Sequence, residues 1–184
     1  YVMGDKSLWD NNGGTDVSYS NIGHLDLGVT FYFDDTGQGY AYTNDHTNSS
    51  VTPLTTANAP TGIASWDELW YVDYVEGTDD DDTFTLPANH NFGVRPGAGN
   101  DVINGATGTD YVKSYTSIDY RHWEDVPNGI IVNFANTANT VSTSDFTSLT
   151  SSLNLSSQLT DEGIIIDPWG DTDVAQDIMD VFGT

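Results

Sequence analysis

The sequence predicts an all-β protein built as a stacked array of similar turns, and three observations lead to that prediction. Segments rich in β-branched and aromatic residues, such as 28–33, 129–134 and 163–166, are typical of strands. The intervals between such segments are filled by Ser, Thr, Asn, Gly and Pro, which favour turns. A phrase near the start of the chain also returns in its second half. Self-similarity of this kind is the signature of stacked repeats rather than of a closed enzyme domain.

The internal repeat consists of two divergent copies of one unit. Residues 14–22 and 108–118 both begin with Gly-Thr-Asp and end with Ile, and the second copy carries two extra residues. A strand-like segment follows each copy, and each unit closes on a Gly-Thr pair, at 77–78 and at 183–184. The two units are therefore expected to adopt similar folds.

This repeat divides the chain into two parts. The first repeat unit covers 1–78, and the second part, 79–184, contains the second unit. Short Gly- and Asp-rich turns lie at the junction, within 77–113. Each unit is expected to carry an inserted hairpin, with Thr-, Ser- and Asn-rich insertions at 43–62 and 135–161. Stacked repeats tolerate insertions of this kind at one face of a turn.

Two segments also fit short helices. Trp66, Leu69 and Trp70 fall at helical spacing, and the segment 173–182 contains Ala, Gln and Met, which favour helix. We predict strands at both places, with helix as the alternative.

The charge of the chain restricts its partners. It has 28 Asp and Glu residues against 4 Lys and Arg, a formal net charge of −24. Nucleic acids and anionic membrane surfaces are bound through clustered basic residues, so neither is expected as a partner. No apolar run is long enough for membrane insertion. Since the chain has no cysteine, the natural ions are those bound through oxygen, Ca²⁺ or Mg²⁺. A cation that bound only the folded state would relieve the self-repulsion and stabilise the fold.

The centre of the chain contains two consecutive nonapeptides, 96–104 and 105–113. Both have Gly at the fourth position, Asp at the sixth and an aliphatic residue at the eighth. A degenerate copy at 77–85 has Asp82 at the sixth position and Phe84 at the eighth. Glycine permits tight turns with positive φ that point carbonyl oxygens inward, and the Asp adds a carboxylate. The pattern therefore indicates turns that supply oxygen ligands, each followed by a short strand with one side chain in the core.

These nonapeptides resemble the RTX, or hemolysin-type, calcium-binding repeat, whose pattern is G-G-x-G-x-D-x-U-x. Phrases similar to those that follow the repeats in that family are found at 108–115, 129–134 and 171–184, so the resemblance as a whole covers most of residues 75–184. The resemblance implies a right-handed parallel β-solenoid or β-roll, in which two nonapeptides make one turn and calcium lies between turns. It also implies a bacterial protein exported by a type I pathway to the extracellular space or the cell surface.

The same resemblance implies which residues bind calcium. Asp82 and Asp101 are separated by little more than one turn of two nonapeptides, and they are the best candidates for a shared site. Other oxygen ligands are expected from Asp80, from carbonyls near Gly97 and Gly99, and, at a weaker site, from Asp110 and Asn91.

The sequence as a whole thus predicts a calcium-binding structural repeat module of a secreted or cell-surface bacterial protein. An adhesin, a surface layer or an extracellular filament would fit, with folding on Ca²⁺ binding outside the cell. Both ends of the chain fall within a repeating phrase, so head-to-tail self-association with further copies is expected. An enzyme is not expected, because no nucleophile motif such as G-x-S-x-G is present.

Two alternatives come from other functional classes. A carbohydrate-binding or enzyme-associated RTX module would use exposed aromatic rings to stack on sugars, with extracellular polysaccharide as the partner. Five tryptophans are available, at positions 9, 66, 70, 123 and 169. A calcium-dependent β-helix polysaccharide lyase would need a basic residue near the ion, and the only arginines are Arg95 and Arg121.

Overall fold

The computed structural model of the 184-residue chain describes residues 2–4, 6, 14–21, 28–43, 66–88, 90–105, 116–121, 129–133, 162–176, 178 and 180–183. Fourteen β-strands account for the secondary-structure elements of these residues. In chain order they are β1 (Val2–Met3), β2 (Asp16–Ser18), β3 (Val29–Phe33), β4 (Gln38–Thr43), β5 (Trp66–Trp70), β6 (Tyr74–Glu76), β7 (Thr83–Thr85), β8 (Phe92–Arg95), β9 (Val102–Asn104), β10 (Thr116–Asp119), β11 (Ile131–Asn133), β12 (Glu162–Ile166), β13 (Thr172–Gln176) and β14 (Asp180–Phe182).

The predicted all-β class is confirmed. Both segments that also fitted helices are strands: β5 covers the first, and β13 and β14 lie in the second. Of the predicted insertions, 135–161 and all but the first residue of 43–62 lie outside the described residues.

The strands form two sheets. The larger, sheet A, has nine strands in the order β1-β5-β4-β3-β7-β9-β13-β12-β11. The smaller, sheet B, has five strands in the order β14-β10-β8-β6-β2, and all its pairs are parallel. Sheet A is parallel through β3, β7, β9 and β13, and an antiparallel meander lies on each side of this centre.

The chain alternates between the two sheets. From β6 to β10 each successive strand enters the other sheet, so β7 and β9 pair in sheet A while β6, β8 and β10 pair in sheet B. Parallel neighbours in one sheet are therefore joined through a strand of the other sheet, as parallel pairing requires a crossover.

One order of strands occurs twice. In β1–β6, a strand of sheet A is followed by one of sheet B, then by three of sheet A and one of sheet B. The third meander strand, β5, returns to pair with β1 in parallel, and β6 pairs with β2. In β9–β14 the order is the same: β13 pairs with β9 and β14 with β10. The two halves that repeat in sequence thus also repeat in topology.

The core lies between the sheets and is built from side chains in register. Phe31, Phe84 and Ile103 are direct partners across sheet A and are 0% exposed. The rings of Phe31 and Phe84 stack with centroids 4.9 Å apart. Phe33 of sheet A contacts Phe92 of sheet B, with centroids 4.6 Å apart. Burial of such aromatic rows is the main favourable contribution to the stability of the stack.

Candidate metal centre

Two turns that lead into the neighbouring strands β7 and β9 of sheet A stack directly on each other. The turn formed by residues 96–101 precedes β9, and the turn formed by residues 77–82 precedes β7. Gly97 and Gly99 have φ values of 106° and 112°, which L side chains rarely adopt. A Cβ atom on Gly97 would lie 1.7 Å from the carbonyl oxygen of Thr78. Glycine is therefore required in this turn both for its conformation and for the approach of the neighbouring turn.

The stacked turns bring Asp82 and Asp101 together. The backbone N–H of Asp82 donates to Oδ1 of Asp101 at 2.7 Å, across 19 residues of sequence. Both side chains are 1% exposed. The two aspartates therefore lie in adjacent turns that are joined by a backbone-to-carboxylate hydrogen bond.

The carboxylate of Asp82 accepts hydrogen bonds from two backbone N–H groups, one in strand β3 and one in its own turn. Its Oδ1 accepts the N–H of Val29 at 2.5 Å, and its Oδ2 accepts the N–H of Thr78 at 2.6 Å. The hydroxyl of Thr78 also lies 3.0 Å from Oδ1. Asp82 therefore ties its own turn to the start of strand β3.

A third aspartate continues the series. Oδ1 of Asp173 accepts the backbone N–H of Asp101 at 2.9 Å, and the hydroxyl of Tyr120 donates to Oδ2 of Asp173. We call Asp82, Asp101 and Asp173 the aspartate ladder. All three are buried, and they lie at the starts of the neighbouring strands β7, β9 and β13 of sheet A. Asp101 and Asp173 each accept the backbone N–H of the preceding aspartate, and Asp82 accepts that of Val29 at the start of β3.

Asp173 was not among the residues predicted from the sequence. It is separated from Asp101 by 72 residues, because the second meander intervenes. A signal was nevertheless present: Asp173-Val174-Ala175 matches Asp101-Val102-Ile103, and these segments are in register across β13 and β9. At the other end of the ladder the position before Val29 is Gly28, which has no carboxylate.

The ladder concentrates acidic groups in a poorly solvated place. Burial raises the pKa of Asp82 to about 6, although its hydrogen bonds to Val29 and Thr78 act in the opposite direction. Burial likewise raises the pKa of Asp173 to about 7. The pKa of Asp101 is raised well above its ordinary value, by burial and then by the negative charges of Asp173 and Asp82. Ionising all three carboxylates is therefore unfavourable unless a positive charge approaches them.

One oxygen of the ladder is available to such a charge. Oδ2 of Asp101 is buried and has no hydrogen-bond partner among the residues that the structure describes. Carboxylate and carbonyl oxygens are the donors that Ca²⁺ prefers, so the chemistry of the site fits that ion. Within the described residues, however, no group of three or more His, Asp or Glu side chains is arranged to hold a metal. The other ladder oxygens are engaged with backbone or side-chain donors.

The remaining predicted ligands fall in different places. Asp80 belongs to the turn formed by residues 77–82. A Cβ atom on Gly99, in the other turn, would lie 2.7 Å from the backbone of Asp80. Asn91 lies between β7 and β8, just before β8 of sheet B, and not in the turns that precede β7 and β9. Its Oδ1 is buried and has no partner in the described part of the chain. Asp110 lies outside the described residues. The structure therefore groups Asp80, Asp82, Asp101, Gly97 and Gly99, and separates Asn91 from them.

The structure describes the surroundings of one candidate residue for each alternative function, Arg95 and Trp66. Arg95, the candidate base of a lyase, lies on sheet B, 3.5 Å from Glu76 and 3.8 Å from Asp119. Trp66 is 40% exposed and meets the buried Tyr40 edge to face, with an interplanar angle of 69°, so this pair does not form a flat platform for a sugar.

Comparison with known proteins found no matching family model, no similar curated protein and no similar solved structure. A search of the described residues for a helix long and apolar enough to cross a membrane also found none.

Proposed function

We propose that this chain is a calcium-ordered structural module of a secreted or cell-surface bacterial protein, such as an adhesin, a surface layer or an extracellular filament. In this proposal the alternating strands form a right-handed β-roll, and calcium binds between its turns. The observation that carries it is the stacking of residues 77–82 and 96–101, which brings Asp82 and Asp101 into contact through turns that require glycine.

The electrostatics of the ladder support a cation as the ligand. Three buried carboxylates lie in series, and the oxygen that has no partner among the described residues is Oδ2 of Asp101, whose ionisation is opposed by burial and by the neighbouring aspartates. Asp101 would be the principal ligand, with Asp82, Asp80 and carbonyls near Gly97 and Gly99 as the other donors. A bound divalent cation would supply the positive charge that lets these carboxylates stay ionised.

The proposed order of events follows from the net charge. A chain with charge −24 repels itself when compact, so it would remain unfolded where calcium is scarce. Outside the cell, calcium that binds only the folded state would shift the equilibrium, by about 2.7 kcal/mol when its concentration is 100 times the Kd. Folding would then accompany export, as the RTX resemblance implies.

A calcium titration followed by far-UV circular dichroism, after removal of divalent ions with a chelator, tests the proposal. We expect the β spectrum to increase with calcium and to reverse on renewed chelation. A β spectrum that was complete in chelator, together with a thermal midpoint unchanged by calcium, would show that calcium has no structural role.

A pair of variants makes the test specific to the ladder. Asp101→Asn retains a side-chain oxygen that can accept the N–H of Asp82 but removes the buried charge. We expect it to stabilise the fold in chelator and to weaken the calcium midpoint by about tenfold or more, equivalent to at least 1.4 kcal/mol. Asp79→Asn removes the same formal charge from an exposed position of the neighbouring acidic run. Equal effects of the two variants would mean that calcium responds only to total charge.

A further inference from the structure

The two ends of the strand stack are each formed by one strand of sheet A and one of sheet B. At one end these edge strands are β1 and β2, and at the other they are β11 and β14. In the described part of the chain each edge strand pairs on one side only. We call the two surfaces the β1/β2 end and the β11/β14 end.

Each end is a continuous surface. Next to β1, a Cβ on Gly4 would lie 2.6 Å from the Thr15 hydroxyl, so the segments beside β1 and β2 are in contact. Next to β14, a Cβ on Gly183 would lie 2.8 Å from Cδ1 of Ile130, which precedes β11. Both sheets therefore terminate together at each end.

The core is incompletely covered at these ends. Side chains at the same level in the interior strands, such as Val75, Val94 and Ile118, are 0% exposed. Their register partners in the edge strands, Val17 in β2 and Val181 in β14, are only partly buried against the core. The other partly buried apolar side chains that pack on the core include Val2, Ile130, Val132 and Ile178, which also lie in or beside edge strands. A further layer at each end would complete their burial.

The direction of the strands allows that layer to be another copy of the chain. In sheet A one direction is shared by β1, β3, β7, β9, β13 and β11. In sheet B all five strands run in one direction. A copy shifted along the stack would place its β1 parallel to β11 and its β2 parallel to β14. The chain already contains joins of this kind, since β3 pairs with β7 while β6 pairs with β8.

We infer that the β11/β14 end of one copy binds the β1/β2 end of the next through parallel strand addition to both sheets. This inference names the partner surface of the structural module proposed above and rests on that proposal for its biological setting. The contact is heterologous and does not close, so it produces a linear stack. Exposed acids, Asp16 in β2 and Asp180 in β14, lie on opposite faces of the contact, so added salt or calcium should favour association.

Proline substitutions can block each end separately. The N–H of Tyr19 donates to Glu76 of the neighbouring strand β6, so the N–H of Ser18, one residue earlier, faces away from that strand. The carbonyl of Phe182 accepts a hydrogen bond from β10, so the N–H of Val181 likewise faces outward. Ser18→Pro and Val181→Pro each remove an outward donor and place a ring on the edge, where proline is tolerated.

Sedimentation velocity over a wide range of protein concentration, in chelator and in calcium, tests the inference. We expect the wild-type chain to form a concentration-dependent series of oligomers in at least one of the two conditions, and each proline variant alone to remain a monomer. A 1:1 mixture of the two variants should form a dimer and no larger species, because each supplies the end that the other lacks. The matched controls Ser18→Thr and Val181→Ile keep the outward N–H and should associate like the wild type.

Three outcomes would overturn the inference. They are a wild-type chain that stays monomeric in both conditions, a Ser18→Pro variant that dimerises on its own, and a mixture that contains only monomers although both variants have the wild-type β spectrum. If Ser18→Pro lost that spectrum, Ser18→Glu would replace it, since it adds a repelling charge to the same β1/β2 end without changing the backbone. Calcium-dependent folding is scored by circular dichroism in the same samples, so stacking and calcium binding can fail independently.

Discussion

Two groups of acidic residues show how differently one residue type behaves in the two sheets. The aspartate ladder of sheet A has backbone N–H groups as its main partners. On sheet B, Glu76 and Asp119 surround Arg95, and Arg121 lies 2.9 Å from Asp119. We call this second group the arginine cluster.

The difference appears in the pKa values. Burial alone would raise the pKa of Asp119, but hydrogen bonds from Arg121, and then the charges of Arg121 and Arg95, lower it below its ordinary value. In the ladder, burial dominates and the pKa values rise. The arginine cluster is therefore neutralised within the chain, whereas the ladder requires a proton or an external cation.

The largest expected effect comes from removing a ladder carboxylate. Asp82→Ala would delete three hydrogen bonds and leave two backbone N–H groups without their acceptor, and we expect a loss of roughly 3–5 kcal/mol in the free energy of unfolding. Urea denaturation in calcium measures it. The exposed Asp79→Ala, three positions away, should change stability by less than about 0.5 kcal/mol. Similar losses for both variants would remove the distinction between the ladder and an ordinary acidic loop.

The pH dependence in chelator should be the next largest effect. The pKa of Asp82 is raised from 3.8 to about 6, so between these values the folded state binds more protons than the unfolded state. Stability must then fall as pH rises through this window, by about 3 kcal/mol for this group alone. Asp173 extends the window to about 7.

The arginine cluster should act in the opposite direction, since the lowered pKa of Asp119 contributes stability that is lost only at acidic pH. Thermal denaturation from pH 4 to 8 checks the prediction. In chelator we expect a larger folded fraction and a higher midpoint near pH 5 than near pH 7, where folding is weakest, and a smaller difference in calcium. A midpoint that rose steadily with pH in chelator would contradict the assignment of a proton-binding ladder.

The smallest effect is expected within the arginine cluster. Arg95→Gln removes two ion pairs at 3.5 and 3.8 Å, while Asp119 retains Arg121. Both contacts are long, and Gln keeps a hydrogen-bond donor at this position, so we expect a loss of about 1 kcal/mol in urea denaturation and an unchanged calcium midpoint. A loss equal to that of Asp82→Ala would mean that the paired acids matter as much as the ladder.

Local patterns explain why part of the site could be predicted from the sequence. Gly97 and Gly99 mark a tight turn whatever surrounds it, and the spacing of Asp82 and Asp101 equals about one circuit through both sheets. The β-branched and aromatic content of segments such as β3 and β12 was sufficient for the all-β class. These features depend on neighbours that are close in sequence.

Long-range pairing explains what could not be predicted. Asp173 joins the ladder only because β13, the third strand of its meander, returns to pair with β9. Nothing in the spacing of the residues shows which meander strand will do so. The use of Asp82 to accept the Val29 N–H likewise depends on the pairing of β3 with β7, across 53 residues. The weaker site expected from Asn91 and Asp110 stays a prediction, because Asp110 lies outside the described residues.

The ladder residues are unequally spaced in the sequence, so the conformational entropy that the unfolded chain loses differs from one ladder contact to the next. Contact between Asp82 and Asp101 closes a loop of 19 residues, whereas contact between Asp101 and Asp173 closes one of 72. Because closure entropy grows with the logarithm of loop length, the longer closure costs about 1.2 kcal/mol more. The central turns are therefore the part of the ladder that loses least conformational entropy when it assembles from the disordered chain.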